Sequence, residues 1–369
     1  MTQGANGNGP GKRGTIESCL EILRGGGLIA LPTETVYGLG ADALNPDAVL
    51  RIFAAKDRPS FNPSICHLAD PDQVFHYGRP SEIARKLTRF WPGPLTMLLP
   101  HEGRVPSVVT AGSPLCAFRV PRHASALELL SRFNGPVAAP SANRSGKRSP
   151  TTADMVADQL ADFLPPGAIL DGGPCEVGLE STVVSVVDDC VQVLRHGGIS
   201  IEELREGDFQ VVDRTDHVDE KEVAEKSPTG ADVGAETRAG LQSPGSLLAH
   251  YAPEGELWFL TTPPNGSGAI PLPTPEELGI ANRRLTYLAF GDFAPPAAAA
   301  VLNLSPEGDL HEAARNLFSY FDRLNDADLI IAPGLPEHGL GRAVNDRLFR
   351  AATRILEHRD GRWVVKDKR

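Results

Sequence analysis

Three basic residues stand out in this sequence because each lies within or at the end of an apolar segment. Lys56 ends NPDAVLRIFAAK, Arg119 lies in LCAFRVP, and Arg195 follows the strand-like segment CVQVL. A basic side chain among apolar ones is stable only where it meets an anion or reaches water. A guanidinium group also matches carboxylate and phosphate groups with paired hydrogen bonds. These residues are therefore candidates for binding an anionic small molecule.

Lys56 is predicted to point inward from the end of a helix. Residues 45–56 place an asparagine at the N-cap and a proline at the first helical position. Val49 and Ile52 lie on the apolar face of this helix, and the same spacing continues to Lys56. The alternative is that the lysine stem passes the end of the helix and reaches water.

Arg119 and Arg195 each leave two interpretations open. Arg119 could line a cleft and bind an anion, or it could form a structural ion pair with a carboxylate of the core. Arg195 precedes two glycines at the end of a predicted strand. That position suits an anion site, although an exposed arginine is the commoner outcome.

Short polar side chains follow two apolar segments. Ser141 and Asn143 come after VAAP, and they would point to the same side if the chain stays extended. Ligands of α/β proteins bind at the carboxyl ends of strands, where this loop is predicted. The segment LPTETVYGLGADA carries Thr35 and two glycines that permit close backbone approach. A hydrophilic loop is the alternative, and it is favoured for Lys147 and Arg148.

The composition excludes several classes of protein. The chain has 369 residues and a net charge of -11, so bulk charge does not indicate nucleic-acid or membrane binding. Five cysteines include no C-x-x-C pair, which argues against a zinc ribbon and for a reduced, cytoplasmic setting. No apolar run is long enough to cross a bilayer, and the N-terminus has no secretory signal. A complete Walker A motif is absent, so a bound nucleotide triphosphate would be held by scattered side chains.

The distribution of apolar residues predicts two domains. Residues 1–14 are predicted as a flexible tail and residues 15–212 as the first domain. Residues 213–255 begin with a charged, small-residue segment that is typical of a linker, and their end could dock onto a domain. Short apolar strands alternate with helical patterns in residues 256–369, among them DLHEAARNLFSYFDRLND and GRAVNDRLFRAATRIL. This alternation indicates an α/β layer with a mainly parallel sheet.

Several motifs together resemble a known family. LPTETVYGLGADA, KDRPSFNPSICHL, PGPLTMLLP, FRVPRH and APSANRSG occur in this order and at a spacing similar to the YrdC-like domain of threonylcarbamoyl-AMP synthases. SPGSLLAHYAP and NDRLFRAA resemble the long, two-domain form of that family. The resemblance implies an α/β fold: a twisted sheet around a concave, positively lined cavity, plus a smaller Rossmann-like C-terminal domain. Cys66 departs from the pattern, since an aliphatic residue is expected beside His67.

The resemblance also implies a reaction. Members of the family make L-threonylcarbamoyladenylate and pyrophosphate from L-threonine, bicarbonate or CO2, and ATP. A downstream transferase complex then moves the threonylcarbamoyl group to the adenosine beside the anticodon in tRNA. Mg2+ is expected to arrive with ATP, with the triphosphate as its main ligand rather than a protein metal site. The negative net charge predicts weak or indirect tRNA contact.

The residues that the resemblance assigns fall into three groups. Lys56 and Arg58 would face the phosphates and the charge that develops during catalysis. The residues around L-threonine would be Thr35, His67, Arg119 and Ser181. The further residues around ATP would be Asn62, Ser141, Asn143, Ser149, Arg195, His250 and Tyr251. His67 could bind the threonine carboxylate or help to deprotonate its amine, and the last two ATP residues would belong to a lid.

Two other functions compete with this prediction. The first is an RNA-binding module with a YrdC-like fold and no chemistry, which would need a basic surface with exposed aromatic residues. Aromatic residues make up only 6% of the chain. The second is a carbamoyltransferase of the hydrogenase-maturation type, whose zinc-finger cysteines are not found here.

Overall fold

The structure is a computed structural model in which most of both predicted domains is described. The described residues are 13–57, 62–215, 253, 255–261, 272–280, 283–292, 300–324 and 327–368. Most of the predicted linker therefore lies outside the described residues.

The described part of the first domain is built on one mixed sheet. Its eleven strands are β1 (Arg13–Gly14), β2 (Ile29–Leu31), β3 (Gly38–Asp42), β4 (Ile65–His67), β5 (Leu95–Pro100), β6 (Leu115–Arg119), β7 (Val137–Ala138), β8 (Ile169–Leu170), β9 (Thr182–Val187), β10 (Cys190–Arg195) and β11 (Val211–Asp213). They are ordered β1-β8-β2-β3-β7-β4-β6-β5-β9-β10-β11 across the sheet. The first strand begins two residues inside the segment predicted as a tail.

Helices cover this sheet and end close to the polar loops. They are α1 (Ile16–Arg24), α2 (Pro46–Lys56), α3 (Pro71–Tyr77), α4 (Glu82–Lys86), α5 (Ser107–Thr110), α6 (Ala124–Phe133), α7 (Ala153–Leu160) and α8 (Ile201–Glu206). Short 3-10 turns follow at Leu87–Phe90 and Ala161–Phe163.

The helix predicted over residues 45–56 is confirmed as α2. The Asn45 side chain accepts hydrogen bonds from the backbone amides of Asp47 and Ala48, as expected of an N-cap. Asp57 ends the helix in the left-handed conformation, with φ of 50°. A left-handed residue stops the helical hydrogen-bond pattern at once, so Lys56 is the last helical residue.

The second domain carries a smaller sheet of β12 (Glu256–Leu260), β13 (Leu285–Ala289), β14 (Ala300–Asn303), β15 (Leu329–Pro333), β16 (Arg354–Arg359) and β17 (Arg362–Asp367). The order is β14-β13-β15-β12-β16-β17, and every described pair except β16–β17 is parallel. Helices α9 (Leu310–Arg323) and α10 (Gly341–Ala351) cover it. The predicted mainly parallel α/β layer is confirmed.

One sequence prediction in this domain is wrong. GRAVNDRLFRAATRIL reads as a continuous helical pattern, but α10 ends at Ala351 and the last residues belong to β16. The strand pairs with β12 in parallel, Phe259 opposite Ile355. Tertiary pairing has overridden the helical periodicity of the segment.

The two domains share an apolar cluster. Val36 and Leu179 of the first domain are buried in the same cluster as Leu317 of α9 and Val344 of α10. Such continuous burial resists relative movement of the domains more than a polar interface does. Among the described residues, no helix is both long and apolar enough to cross a membrane.

Candidate active site

The loop between β2 and β3 organises the predicted site. The Thr33 hydroxyl donates to the Val36 carbonyl at 2.7 Å and lies 2.8 Å from the Thr35 hydroxyl. The Tyr37 amide donates to the Pro150 carbonyl, and the Tyr37 carbonyl accepts from the Ala142 amide. This loop is thereby joined to both ends of the segment that carries Ser141, Asn143 and Ser149.

Arg119 occupies the end of β6, opposite His67 at the end of the parallel strand β4. Its Nη1 donates to the Thr35 hydroxyl at 2.8 Å, and its Nε donates to the Gly93 carbonyl at 3.3 Å. Its Nη2 lies 2.8 Å from Oε2 of Glu34, whose side chain is fully buried. The structure therefore shows the buried ion pair that was the alternative for this arginine. Binding of a substrate carboxylate by Arg119 stays a prediction.

Glu34, a polar residue of LPTETVYGLGADA, is a site residue to which sequence analysis assigned no role. It lies close to Arg119 Nη2, but the two groups are not aligned as a hydrogen bond. Within the described residues, neither Glu34 carboxylate oxygen accepts a hydrogen bond. A buried carboxylate held mainly by charge keeps its acceptor positions for another donor. Its position between apolar residues in LPTETVYG was the signal that could have identified it.

His67 is neutral in this environment. Burial, and after it the charge of Arg119, lowers the pKa of His67 to about 3. Its Nδ1 lies 3.2 Å from the Ile65 carbonyl. At neutral pH the imidazole is therefore uncharged, so one ring nitrogen is a hydrogen-bond donor and the other an acceptor.

Lys56 points inward, as its helical spacing predicts. The residue is only 2% exposed. Its Nζ donates to the backbone carbonyls of Ser141 and Asn143. The alternative that its stem reaches water is wrong. The lysine instead fixes the segment that follows β7.

Ser141 and Asn143 shape the same segment through their side chains. The Ser141 hydroxyl donates to Oδ1 of Asn143. Nδ2 of Asn143 donates to the carbonyls of Arg144 and Lys147, each at 2.8 Å. Asn143 is fully buried, whereas the Lys147 side chain is exposed. Hydrogen bonds from the buried Asn143 side chain thus hold this turn in shape. The half-buried Ser141 lies at the edge of the site.

Arg195 is buried rather than exposed. Its Nε and Nη2 donate to the Ser181 carbonyl at 3.1 and 2.8 Å. The Ser181 hydroxyl lies 2.7 Å from the hydroxyl of Thr96 on β5. Gly197 follows this arginine, and a Cβ there would lie 2.3 Å from the Glu180 carbonyl. Glycine is required at that position because the two segments touch.

A second buried carboxylate lies beside these residues. Oε1 of Glu180 accepts a hydrogen bond from the Ser149 hydroxyl at 2.6 Å, and Oε2 accepts one from Nε of Arg347 at 3.0 Å. Burial raises the pKa of Glu180, but the charges of Arg347 and Arg195 and the Ser149 hydrogen bond outweigh it. The pKa falls to about 2, so this carboxylate is ionised. Sequence analysis missed both Glu180 and Arg347.

The structure brings most of the predicted residues into one connected network. The Gly93 carbonyl accepts from Arg119, and the next carbonyl, that of Pro94, accepts from the Thr182 amide beside Ser181. Asn62 is buried ahead of β4. Three predicted residues lie outside the described residues: Arg58, His250 and Tyr251.

Two family models match the chain. The model described as "Telomere recombination" covers residues 21–197, and the model described as "Threonylcarbamoyl-AMP synthase, C-terminal domain" covers residues 199–353. The first match contains almost every described site residue, and the second contains Arg347.

Full-length relatives agree with these matches. The threonylcarbamoyl-AMP synthase of Pyrococcus abyssi is 38% identical, covering 90% of this chain and 92% of the relative. That of Bacillus subtilis is 38% identical, covering 91% and 92%. That of Schizosaccharomyces pombe is 35% identical, covering 94% and 90%.

A solved structure agrees in both domains. The crystal structure of P. abyssi Sua5 complexed with L-threonine superposes with a TM-score of 0.75 at 35% identity. The match covers 93% of this chain and 96% of that one. With the same two domains, in the same order, over nearly its whole length, this chain belongs to the threonylcarbamoyl-AMP synthase family in its two-domain form.

Proposed function

We propose that this chain makes L-threonylcarbamoyladenylate from L-threonine, bicarbonate or CO2, and ATP, within the network around Lys56, Arg119 and Arg195. The observation that carries the proposal is that these three buried cations contact loops rich in small hydroxyl groups, and that hydrogen bonds join those loops to one another. Anionic substrates need such cations. A reaction without a protein nucleophile needs positioning more than covalent chemistry.

The reaction has two bond-forming steps. The free amine of threonine attacks the carbon of CO2 and loses a proton, which gives a carbamate. A carbamate oxygen then attacks the α-phosphorus of ATP as the bond to the departing pyrophosphate breaks. Negative charge accumulates on the phosphates as this bond breaks, so the main demand on the protein is electrostatic stabilisation.

The threonine side of the site is assigned to Thr35, His67, Arg119 and Ser181. Arg119 supplies the cation for the substrate carboxylate, because a free carboxylate in a cleft favours a guanidinium partner. The neutral His67 donates or accepts a hydrogen bond there. The low pKa of His67 rules against a role as the base that deprotonates the amine.

The nucleotide side is assigned to the residues around the segment after β7. Lys56 and Arg58 face the phosphates and act in catalysis, while Arg195 supplies a further phosphate or ribose contact. The remaining ATP contacts are proposed for Asn62, Ser141, Asn143, Ser149, His250 and Tyr251. The last two would form a lid that keeps water from the labile intermediates.

Mg2+ enters this proposal as part of the substrate, bound to ATP. Among the described residues, no group of three or more histidine, cysteine, aspartate or glutamate side chains could hold a metal ion. Lys56 donates to the backbone carbonyls of Ser141 and Asn143, whereas Mg2+ favours carboxylates and phosphates. In this proposal the triphosphate supplies the main Mg2+ ligands.

The product requires a downstream partner. A threonylcarbamoyl adenylate is an activated mixed anhydride, and the proposed partner is a transferase complex that passes the group to tRNA in the cytoplasm. Direct contact of this chain with tRNA is proposed to be weak, because the net charge of -11 repels the phosphate backbone.

Pyrophosphate release tests the proposal. Wild type is assayed with Mg2+-ATP and bicarbonate, with and without L-threonine, beside Lys56→Ala and Arg119→Ala. Lys147→Ala is the matched control, because this lysine is exposed on the segment that Lys56 holds. We expect threonine-dependent release that is lost in both site variants and kept in the control. A folded wild type that releases no pyrophosphate but binds RNA would support the binding-module alternative instead.

A further inference from the structure

Arg347 is the largest of the fully buried side chains among the described residues. It belongs to α10 of the second domain, yet its guanidinium group reaches into the first. Nε donates to Glu180 at 3.0 Å, and Nη1 donates to the His196 carbonyl at 2.8 Å. Along the chain, Glu180 directly precedes Ser181 and His196 directly follows Arg195. The two contacts of Arg347 therefore flank the hydrogen-bonded pair Ser181–Arg195.

Glu180 connects this arginine to the predicted nucleotide side of the site. One carboxylate oxygen accepts from Arg347 and the other accepts from the buried Ser149 hydroxyl. An ionised carboxylate buried between two such donors holds both of them in a fixed orientation. The position of the Ser149 hydroxyl therefore depends on a residue of the other domain.

The same helix also makes an ordinary contact between the domains. Arg342 donates to Glu202 at 2.6 Å, but both side chains are partly exposed, at 26% and 39%. Glu202 lies in α8, and none of the predicted site residues takes part in this pair. Arg342 therefore offers a matched control for Arg347.

We propose that Arg347 is a positioning residue through which the second domain sets the ATP site, by orienting Glu180 and thereby the Ser149 hydroxyl. The proposal rests on the assignment of Ser149 to the nucleotide side. It gives the second domain a part in substrate binding that is separate from the lid proposed for His250 and Tyr251.

Kinetics with varied ATP test the proposal. In Arg347→Met and in Glu180→Gln we expect the KM for ATP to rise by on the order of tenfold, since a small misplacement of a binding group has effects of this size or larger. The Kd for ATP measured by calorimetry without threonine should rise by a similar factor. Arg342→Met should leave both values within about twofold of wild type.

A double-mutant cycle distinguishes positioning from general damage. If Arg347 acts through Ser149, Arg347→Met should raise the KM for ATP much less in a Ser149→Ala background than in wild type. Independent structural damage would multiply the two effects and would contradict the proposal. Arg347→Lys keeps the positive charge and should recover part of the ATP affinity.

The possible failures can be told apart. If wild type shows no threonine-dependent pyrophosphate release, the proposed function fails. If wild type is active and folded Arg347→Met or folded Glu180→Gln keeps the wild-type KM and Kd for ATP, the positioning proposal is overturned. Loss of the fold in Arg347→Met, Arg347→Lys and Glu180→Gln alike, followed by circular dichroism, overturns it too, since the ion pair would then serve only the core.

Discussion

Two buried arginine–glutamate pairs lie in the same network, and they differ in how they are bonded. Arg119 and Glu34 both belong to the first domain, and their groups are close but not aligned as a hydrogen bond. Arg347 and Glu180 come from different domains, and both oxygens of that carboxylate accept hydrogen bonds. The first pair mainly compensates charge, whereas the second fixes positions.

The surroundings of the two arginines differ as well. Arg347 also donates to the carboxylate of Asp346 at 2.9 Å. Among the described residues, Glu34 is the only carboxylate within ion-pair distance of Arg119. Substitution of Glu34 therefore tests the loss of charge compensation. Substitution of Glu180 tests the loss of orientation.

The largest effect is expected at Arg119. Arg119→Ala should lower kcat/KM for threonine by more than about a hundredfold, because it removes the proposed carboxylate partner. It also leaves Glu34 buried without its counter-charge. In Arg119→Ala/Glu34→Gln we expect stability to recover while threonine-dependent pyrophosphate release stays lost. Recovery of both would mean that Arg119 serves only to neutralise Glu34.

A smaller effect, on stability rather than on activity, is expected when the two glutamates are substituted. Glu34→Gln should lower the free energy of unfolding by about 3 kcal/mol, because it leaves a buried arginine without a carboxylate. Glu180→Gln should cost less, since Asp346 stays beside Arg347. Urea unfolding of the two variants measures this difference. An equal or larger loss in Glu180→Gln would contradict the division of roles between the pairs.

The last contrast is a separation of the two regions in acid. The lowered pKa of His67 means that stability contributed beside Arg119 is complete above pH 6.5 and is lost as the pH falls toward about 3. The lowered pKa of Glu180 means that its contribution is complete above pH 4.5 and is lost as the pH falls through about 2. Urea unfolding as a function of pH measures both losses of stability. The loss assigned to His67 should be absent in His67→Gln, and the loss assigned to Glu180 should be absent in Glu180→Gln. Identical pH profiles of stability in the two variants would contradict the assignment of the loss at higher pH to His67 and the loss at lower pH to Glu180.

Local features of the site could be predicted from sequence. The helical spacing placed Lys56 inward, and the isolated arginine of LCAFRVP pointed to either an ion pair or an anion site. Both inferences use periodicity over a few residues, which the backbone geometry of helices and strands enforces. Family motifs added the residues that no periodicity marks, such as Thr35 and Ser181, and their substrate roles stay predictions.

Long-range partners could not be predicted in this way. Glu34 faces Arg119 only because the β2–β3 loop lies beside the end of β6. Glu180 meets Arg347 only because α10 lies against the first domain. Neither contact leaves a pattern in the local sequence, and the glutamates look like ordinary loop residues. The same limit explains why the end of α10 was misassigned, since the pairing of β16 with β12 is non-local.

The distance along the chain between Glu180 and Arg347 has a consequence for biosynthesis. The two residues are 167 positions apart. A chain emerging from the ribosome can fold its first domain long before α10 is made. Until then Glu180 lacks the charge of Arg347, and of the two arginines that lower its pKa only Arg195 has been made. The nascent protein thus forms the contact between Arg347 and Glu180 only near the end of translation.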